Sequence, residues 1–298
     1  MGENMALKII TDSASDLPKA VTEALEIEVI ATPVLINGSD YFDGKTIQAK
    51  KIYEILRDGK ETVSTYHINT YMFIKHFEPY AKRGDQLIYI CFSTGIAGTY
   101  NAANQAKEDL MEIYPDFDLT IIDSKCASLG FGLVVMYAGW MLRAGAQKEE
   151  IIEAIKYHCE HMRHVFTVDT LEYLLKSGRI GKTSAIAGEI LNIRPIITVD
   201  DNGSLKAEEK VRGRTKSIRR LIDYVGEHGV ELSKQTVGIV HGDDEETVNK
   251  IKEMLREKYG ATLTIDNYVG CAIGAHTGPG IVGIVFLDAH SPYITKET

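Results

Sequence analysis

The stretch QLIYICFSTGIAGTYNAA at residues 86–103 decides how the rest of this chain is interpreted. Residues 87–92 are apolar at every position, which is typical of a strand covered on both faces of a sheet. Residues 93–98 break that run with hydroxyls and glycines, and apolar residues from Tyr100 onward recur at helical spacing. Ligands of open α/β sheets lie at the carboxyl ends of strands, so this loop is a candidate site for a carboxylate or a phosphate. A tight turn that caps the helix explains the same residues equally well.

The first half of the chain repeats this arrangement of a short strand, a polar turn and a helix. Residues 7–11 and 119–123 are further short strands that end in polar turns. This alternation predicts a mostly parallel sheet covered by helices. A helix predicted at 129–142 is apolar nearly all round, so protein or an apolar ligand must cover it, and protein is the first expectation.

The second half has a different pattern. Strands at 196–199 and 205–211 flank Asp201-Asn202-Gly203 and predict a β-hairpin. Hairpin-linked strands with two helices predict an α+β unit. We therefore expect an N-terminal α/β domain over residues 1–164 and a C-terminal α+β domain over residues 165–298, packed closely together.

Composition excludes several classes of protein. The 298 residues carry a formal net charge of −9 with only 33 Lys and Arg, a poor composition for a general nucleic-acid binder. The four cysteines are scattered and do not predict a disulfide framework. The start of the chain lacks the pattern of a secretory signal, and no apolar stretch is long enough to span a bilayer. We expect a cytoplasmic protein without stable membrane insertion.

Three motifs suggest a cofactor or a metal site, but their residues do not support either. A phosphate loop ending at Gly181-Lys182-Thr183 would need glycine at position 176, which is Lys176. Gly130–Val135 has two of the three glycines of a dinucleotide fingerprint and lacks the later acidic residue. His158, His161 and His164 are three apart and could hold zinc on a helix, but a partly exposed helix face is the preferred interpretation. We expect no cofactor and no metal.

A second loop, His276-Thr277-Gly278-Pro279-Gly280, carries a histidine at a fixed turn. Such a histidine can donate a hydrogen bond to an anion, or it can simply cap a helix. A basic group also stands out in this acidic chain, and it is either a docking face for an acidic or phosphorylated partner or a solvated surface. Its members are Lys176, Arg179, Lys182, Arg212, Arg214, Arg219 and Arg220.

Taken together, these segments resemble the DegV family over residues 7–288. The resemblance is carried by eight motifs in order: TDSASDL at 11–17, STYHIN at 64–69, FSTGIAGTYNAA at 92–103, IDSKCASLGFG at 122–132, YLLKSGRIGK at 173–182, NIRPII at 192–197, KVRGRTKSI at 210–218 and HTGPG at 276–280.

The resemblance implies a fold, a ligand and a partner. The family fold has a parallel-sheet α/β domain and a second domain on a mixed sheet. Its members are bacterial fatty-acid-binding proteins, and some present the acyl carboxylate to a separate ATP-binding fatty acid kinase. Carried over position by position, the carboxylate contacts fall on Thr65, Ser93, Thr94 and His276. Arg179, with Lys176 and Arg212, would meet the kinase, and the chain itself would not be an enzyme.

This sequence departs from the commoner family pattern in two of these motifs. Thr65-Tyr66-His67 stands where Thr-Ser-Gln is frequent, and bulky Tyr66 and His67 could alter the mouth of the pocket. The third hydroxyl of the Ser-Ser-x-Leu-Ser-Gly motif is missing at Ala97, which suggests a structural position.

Two other functions compete with lipid carriage. In the first, an enzyme acts on a small acylated or phosphorylated metabolite, with Ser93 as the nucleophile, His276 as its base and Asp12 or Asp123 orienting the histidine. The sequence lacks the strained G-x-S-x-G elbow that such a serine would favour. The second is a regulatory binder without lipid transfer.

Overall fold

The computed structural model describes residues 6–181 and 193–294, which form three β-sheets and ten α-helices within those ranges. The strands are β1 (Leu7–Asp12), β2 (Glu28–Ile30), β3 (Pro33–Ile36), β4 (Ser39–Phe42), β5 (Val63–Thr65), β6 (Gln86–Cys91), β7 (Leu119–Asp123), β8 (Met162–Thr167), β9 (Ile193–Val199), β10 (Leu205–Arg212), β11 (Val237–His241), β12 (Thr264–Tyr268) and β13 (Val282–Leu287). The helices are α1 (Lys19–Ala24), α2 (Ala49–Asp58), α3 (Thr70–Arg83), α4 (Thr99–Ile113), α5 (Leu129–Arg143), α6 (Lys148–His161), α7 (Glu172–Lys176), α8 (Arg214–His228), α9 (Glu245–Tyr259) and α10 (Cys271–Thr277).

The first sheet is parallel and has the strand order β2-β1-β6-β7. Side chains of β6 alternate between its two faces, and both faces are buried, as the unbroken apolar run predicts. Leu87 and Tyr89 pack with α3 and α4 on one face, whereas Ile88 and Ile90 pack with α5 on the other. The predicted parallel α/β domain is confirmed.

A small antiparallel sheet of order β4-β3-β5 lies beside it. Its hairpin turns at Asn37 and Gly38, whose φ angles of 51° and 80° are those of the type I′ turn that the sequence predicts. This sheet places Thr65 at the end of β5.

The second large sheet is mixed and has the order β10-β9-β8-β13-β11-β12, with only β11 and β12 parallel. The predicted β9–β10 hairpin is present. Helices α8 and α9 cover one face of this sheet, and α5 covers the other. The expected division between residues 164 and 165 falls within β8. The domain bounds stay a prediction.

Helix α5 lies between the two large sheets and contacts β1, β6, β8, β11 and β13. Its residues from Leu129 to Gly139 are all buried, and the backbone oxygen of Ser15 approaches Gly132 so closely that a Cβ there would lie 2.4 Å from it. The first expectation for this helix, burial in protein, is confirmed, because a helix that is apolar all round is driven into a core. In the described part of the chain no helix is long and apolar enough to span a bilayer.

Candidate functional site

A cavity of about 320 Å³ opens between the parallel sheet and the six-stranded sheet. One wall is built at the carboxyl ends of β1, β2 and β6 by Asp12, Thr32 and Phe92. The opposite wall comes from the six-stranded sheet and includes Phe166 and Val285. The cavity therefore lies where ligands of open α/β sheets bind.

Thr65 and His276, which are 211 residues apart in sequence, meet in the lining of the cavity. The hydroxyl of Thr65 and Nε2 of His276 are hydrogen-bonded at 2.5 Å. Burial, and secondarily the positive charge of Arg179, lowers the pKa of His276 to about 4. The imidazole is therefore neutral at pH 7 and can offer one N–H donor to an anion.

Helix α10 brings His276 to the cavity, and buried carboxylates fix the start of that helix. Asp43 accepts from the backbone N–H groups of Cys271, at 2.9 Å, and Ala272, at 3.2 Å. Asp16 accepts from the N–H of Gly270 at 2.8 Å. These bonds connect the N-terminal half to the helix that carries His276. Nothing in the local sequence predicts this role of the two aspartates, because bonds between residues more than 220 apart leave no local signal.

The structure does not bring Ser93 and Thr94 to the cavity. Ser93 is fully buried, and its hydroxyl donates to the carbonyl of Gly203 in the β9–β10 hairpin at 2.8 Å. The hydroxyl of Thr94 donates to Asp123 at 2.5 Å. The part of this loop that lines the cavity is Phe92 and residues 96–99. The hydroxyls of Ser93 and Thr94 instead hold the loop against the hairpin and β7.

The same geometry does not form the competing catalytic arrangement, in which Ser93 would pair with His276 and an aspartate would orient the histidine. His276 is hydrogen-bonded to Thr65, and the Ser93 hydroxyl is bonded to Gly203. Asp12 accepts from Tyr89, and Asp123 accepts from Thr94, so neither aspartate orients a histidine.

The basic residues divide into two sets. Arg179 lines the cavity; one of its Nη atoms donates to the carbonyl of Ser177 at 2.6 Å, and its buried Nε has no partner among the described residues. Lys176 and Arg212 are exposed on α7 and β10. Lys182 lies outside the described residues. Arg179 is thus placed to contact a ligand in the cavity, and its role toward a partner stays a prediction.

The lining of the cavity includes residues at which this sequence differs from the commoner family pattern. Tyr66 and His67 line the cavity, and His67 lies beside Gly98. Ala97 also lines it, and the suggestion of a structural position there stays a prediction. Helix α5 contributes none of the lining residues, because it is covered by protein.

The three histidines do not share one helix. Helix α6 ends at His161, and His164 lies on strand β8 in the wall of the cavity. His158 is hydrogen-bonded to Ser291 and His161 to Asp288. No cluster of potential metal ligands occurs within residues 6–181 and 193–294. The helical spacing misplaced His164 because the chain turns into a strand directly after His161.

Fold and site together define a two-domain α/β protein with a largely apolar cavity between its sheets and a Thr–His pair in the cavity lining. A family model described as "Uncharacterised protein, DegV family" matches residues 6–289. A DegV domain-containing protein of Clostridium perfringens is 38% identical over 287 residues, which cover 95% of this chain and 98% of that protein. The chain belongs to the DegV family.

Two solved structures share the fold at a TM-score of 0.84 and 28% identity, and in both the match covers 95% of this chain and 99% of the other. One is a DegV lipid-binding protein from Thermotoga maritima, and the other is DegV from Bacillus subtilis, described as a fatty acid binding protein. The expected fold, a parallel-sheet domain with a mixed-sheet domain, is confirmed.

Proposed function

We propose that this protein binds a long-chain fatty acid in the cavity, with the carboxylate at Thr65 and His276. The observation that carries the proposal is the cavity itself, whose walls are largely apolar and whose lining brings the Thr65 hydroxyl and His276 together. The descriptions of the Thermotoga and Bacillus proteins as lipid- and fatty-acid-binding support it.

The energetics of such a ligand fit the site. Burial of about 15 methylenes at about 0.8 kcal/mol each offers roughly 12 kcal/mol before the costs of ordering and association. A carboxylate buried without partners would cost several kcal/mol, so the site must pair it. The Thr65 hydroxyl, the neutral His276 and the guanidinium of Arg179 supply donors and a compensating charge.

We propose further that the protein is a carrier and not an enzyme, and that it presents the carboxylate to a fatty acid kinase. The Ser93–His276 pairing of the competing enzyme hypothesis is not made, because Ser93 donates to Gly203 and His276 is bonded to Thr65, whereas hydrogen-bond donors in the cavity lining suit the holding of an acid. Exposed Lys176 and Arg212 would contact an acidic face of the kinase or its nucleotide. The free thiols of all four cysteines fit a reducing cytoplasm.

The test combines identification of the bound ligand with a matched pair of variants. Native mass spectrometry of the purified protein should reveal a fatty acid, and the delipidated protein should bind palmitic, stearic or oleic acid. Thr65→Val removes a hydroxyl at the cavity and should weaken binding by about tenfold or more, the expected cost of a hydrogen bond to a charged group. Thr94→Val makes the same change outside the cavity and should leave binding unchanged. Absence of binding, or equal effects of the two variants, would overturn the proposal.

A further inference from the structure

His164 places a second histidine in the wall of the cavity, apart from the Thr65–His276 pair. It lies on β8, its side chain is only 6% exposed, and it lines the cavity. Gly130 of α5 abuts the ring so closely that a Cβ there would lie 1.8 Å from its Nε2. The absence of a side chain at position 130 therefore makes room for the imidazole.

The contacts of the ring locate its proton. Nε2 accepts a hydrogen bond from the backbone N–H of Ala127 at 3.2 Å. Burial lowers the pKa of His164 to about 4, so the ring is neutral at pH 7. A neutral imidazole that accepts at Nε2 carries its proton at Nδ1. No described residue accepts a hydrogen bond from that Nδ1–H.

Two other polar groups that line the cavity, Asp12 and Ser128, are already paired. The carboxylate of Asp12 accepts from the Tyr89 hydroxyl at 2.9 Å and from the backbone N–H of Ala14 at 3.0 Å. The hydroxyl of Ser128 donates to Asp16. The Nδ1–H of His164, by contrast, is a donor without a partner among the described residues. A methylene chain lying against a donor would leave it unsatisfied, which is unfavourable in an apolar cavity.

We propose that His164 selects fatty acids that carry an oxygen atom on the chain, as a hydroxyl or keto group, at the point where the chain passes β8. The Nδ1–H of the ring donates to that oxygen, while Thr65 and His276 hold the carboxylate. This selection rests on the proposed fatty-acid binding, and it adds a class of ligand to it.

The test is a positional scan with octadecanoic acids that carry one hydroxyl or keto group at successive carbons. For each acid the dissociation constant is divided by that of unsubstituted octadecanoic acid. A polar substituent in an apolar cavity weakens binding at most positions. At the position opposite His164 the acid should bind about 3- to 10-fold tighter than the unsubstituted one, the range of a neutral hydrogen bond.

Two variants assign that gain to the ring. His164→Leu should abolish the gain at that position, and the ratio cancels any general loss of affinity in the variant. Phe166→Leu alters the same wall without removing a donor and should keep the gain. A gain that persists in His164→Leu would overturn the role of His164.

The wild-type scan is decisive even if His164→Leu does not fold. If unsubstituted octadecanoic acid binds and no substituted position gains, a trapped water satisfies Nδ1–H and the selection is refuted while the proposed function stands. If none of the acids binds, the proposed function fails and the selection fails with it.

Discussion

Asp43 lies in the N-terminal half of the chain, yet its carboxylate holds the first turn of the helix that carries His276. It accepts from the N–H groups of Cys271 and Ala272 and from the hydroxyl of Ser13, at 2.9, 3.2 and 3.1 Å. Asp43→Ala leaves two buried helix N–H groups without partners. At about 1–3 kcal/mol for each unsatisfied group, and with some gain from removing a buried carboxylate, the loss of unfolding free energy should be about 3 kcal/mol.

The assay pairs urea unfolding with fatty-acid binding under conditions where each variant is folded. Ile251→Ala is the control, because it truncates a buried side chain of α9 and should cost a similar 2–5 kcal/mol without touching α10. Asp43→Ala should weaken binding, because it loosens the helix that aims His276, whereas Ile251→Ala should not. A loss of unfolding free energy below about 1 kcal/mol, or a destabilised Asp43→Ala variant that binds like the wild type, would contradict this role of Asp43.

Three further predictions follow from single positions. Burial raises the pKa of Asp12 to about 6, so the folded protein holds a proton on this carboxyl more tightly than the unfolded chain does. The resulting stabilisation of the fold is complete below about pH 4 and is lost as the pH rises through 6, which lowers the unfolding free energy by about 3 kcal/mol. The unfolding free energy of the wild type minus that of Asp12→Asn should fall over this range, and a flat or rising difference would contradict the burial argument. Gly203→Ala should lower the unfolding free energy, measured by thermal unfolding, by more than about 2 kcal/mol, because φ is 77° and a Cβ would lie 2.0 Å from Ser93 Oγ. Gly59 has a similar φ but lies in open space, so Gly59→Ala should cost about 1 kcal/mol. Equal costs would contradict the tight docking of the β9–β10 hairpin. Gly130→Ala should destabilise the protein strongly, and adding His164→Ala should restore part of the loss; no recovery would show that the ring is not what the methyl group meets.

The elements that sequence reasoning predicted best are those whose pattern is local. The apolar run of β6, the Asn37-Gly38 hairpin and the apolar helix α5 each carry their signal within a few residues, and each is present. The position of the cavity can also be predicted from the sequence, because the carboxyl ends of parallel strands meet at one edge of the sheet.

The directions in which side chains point within the site cannot be predicted from the sequence. Ser93 and Thr94 follow the strand at the expected edge, but their hydroxyls are engaged by Gly203 and Asp123 from other elements. Thr65 and His276 meet only through tertiary packing. The spacing of His164 from His161 predicts a helix. The structure pairs His164 in strand β8 with β13 and places it in the lining of the cavity.

We propose that Thr65 and His276, not Ser93 and Thr94, hold an acyl carboxylate. A crystal structure of the delipidated protein soaked with palmitic acid distinguishes the two pairs of residues. We expect continuous density for the acyl chain in the cavity, with carboxylate oxygens within about 3 Å of Thr65 Oγ1 and of an imidazole nitrogen of His276. A carboxylate bound at Ser93 and Thr94, or a cavity that stays empty while the acid binds elsewhere, would contradict it.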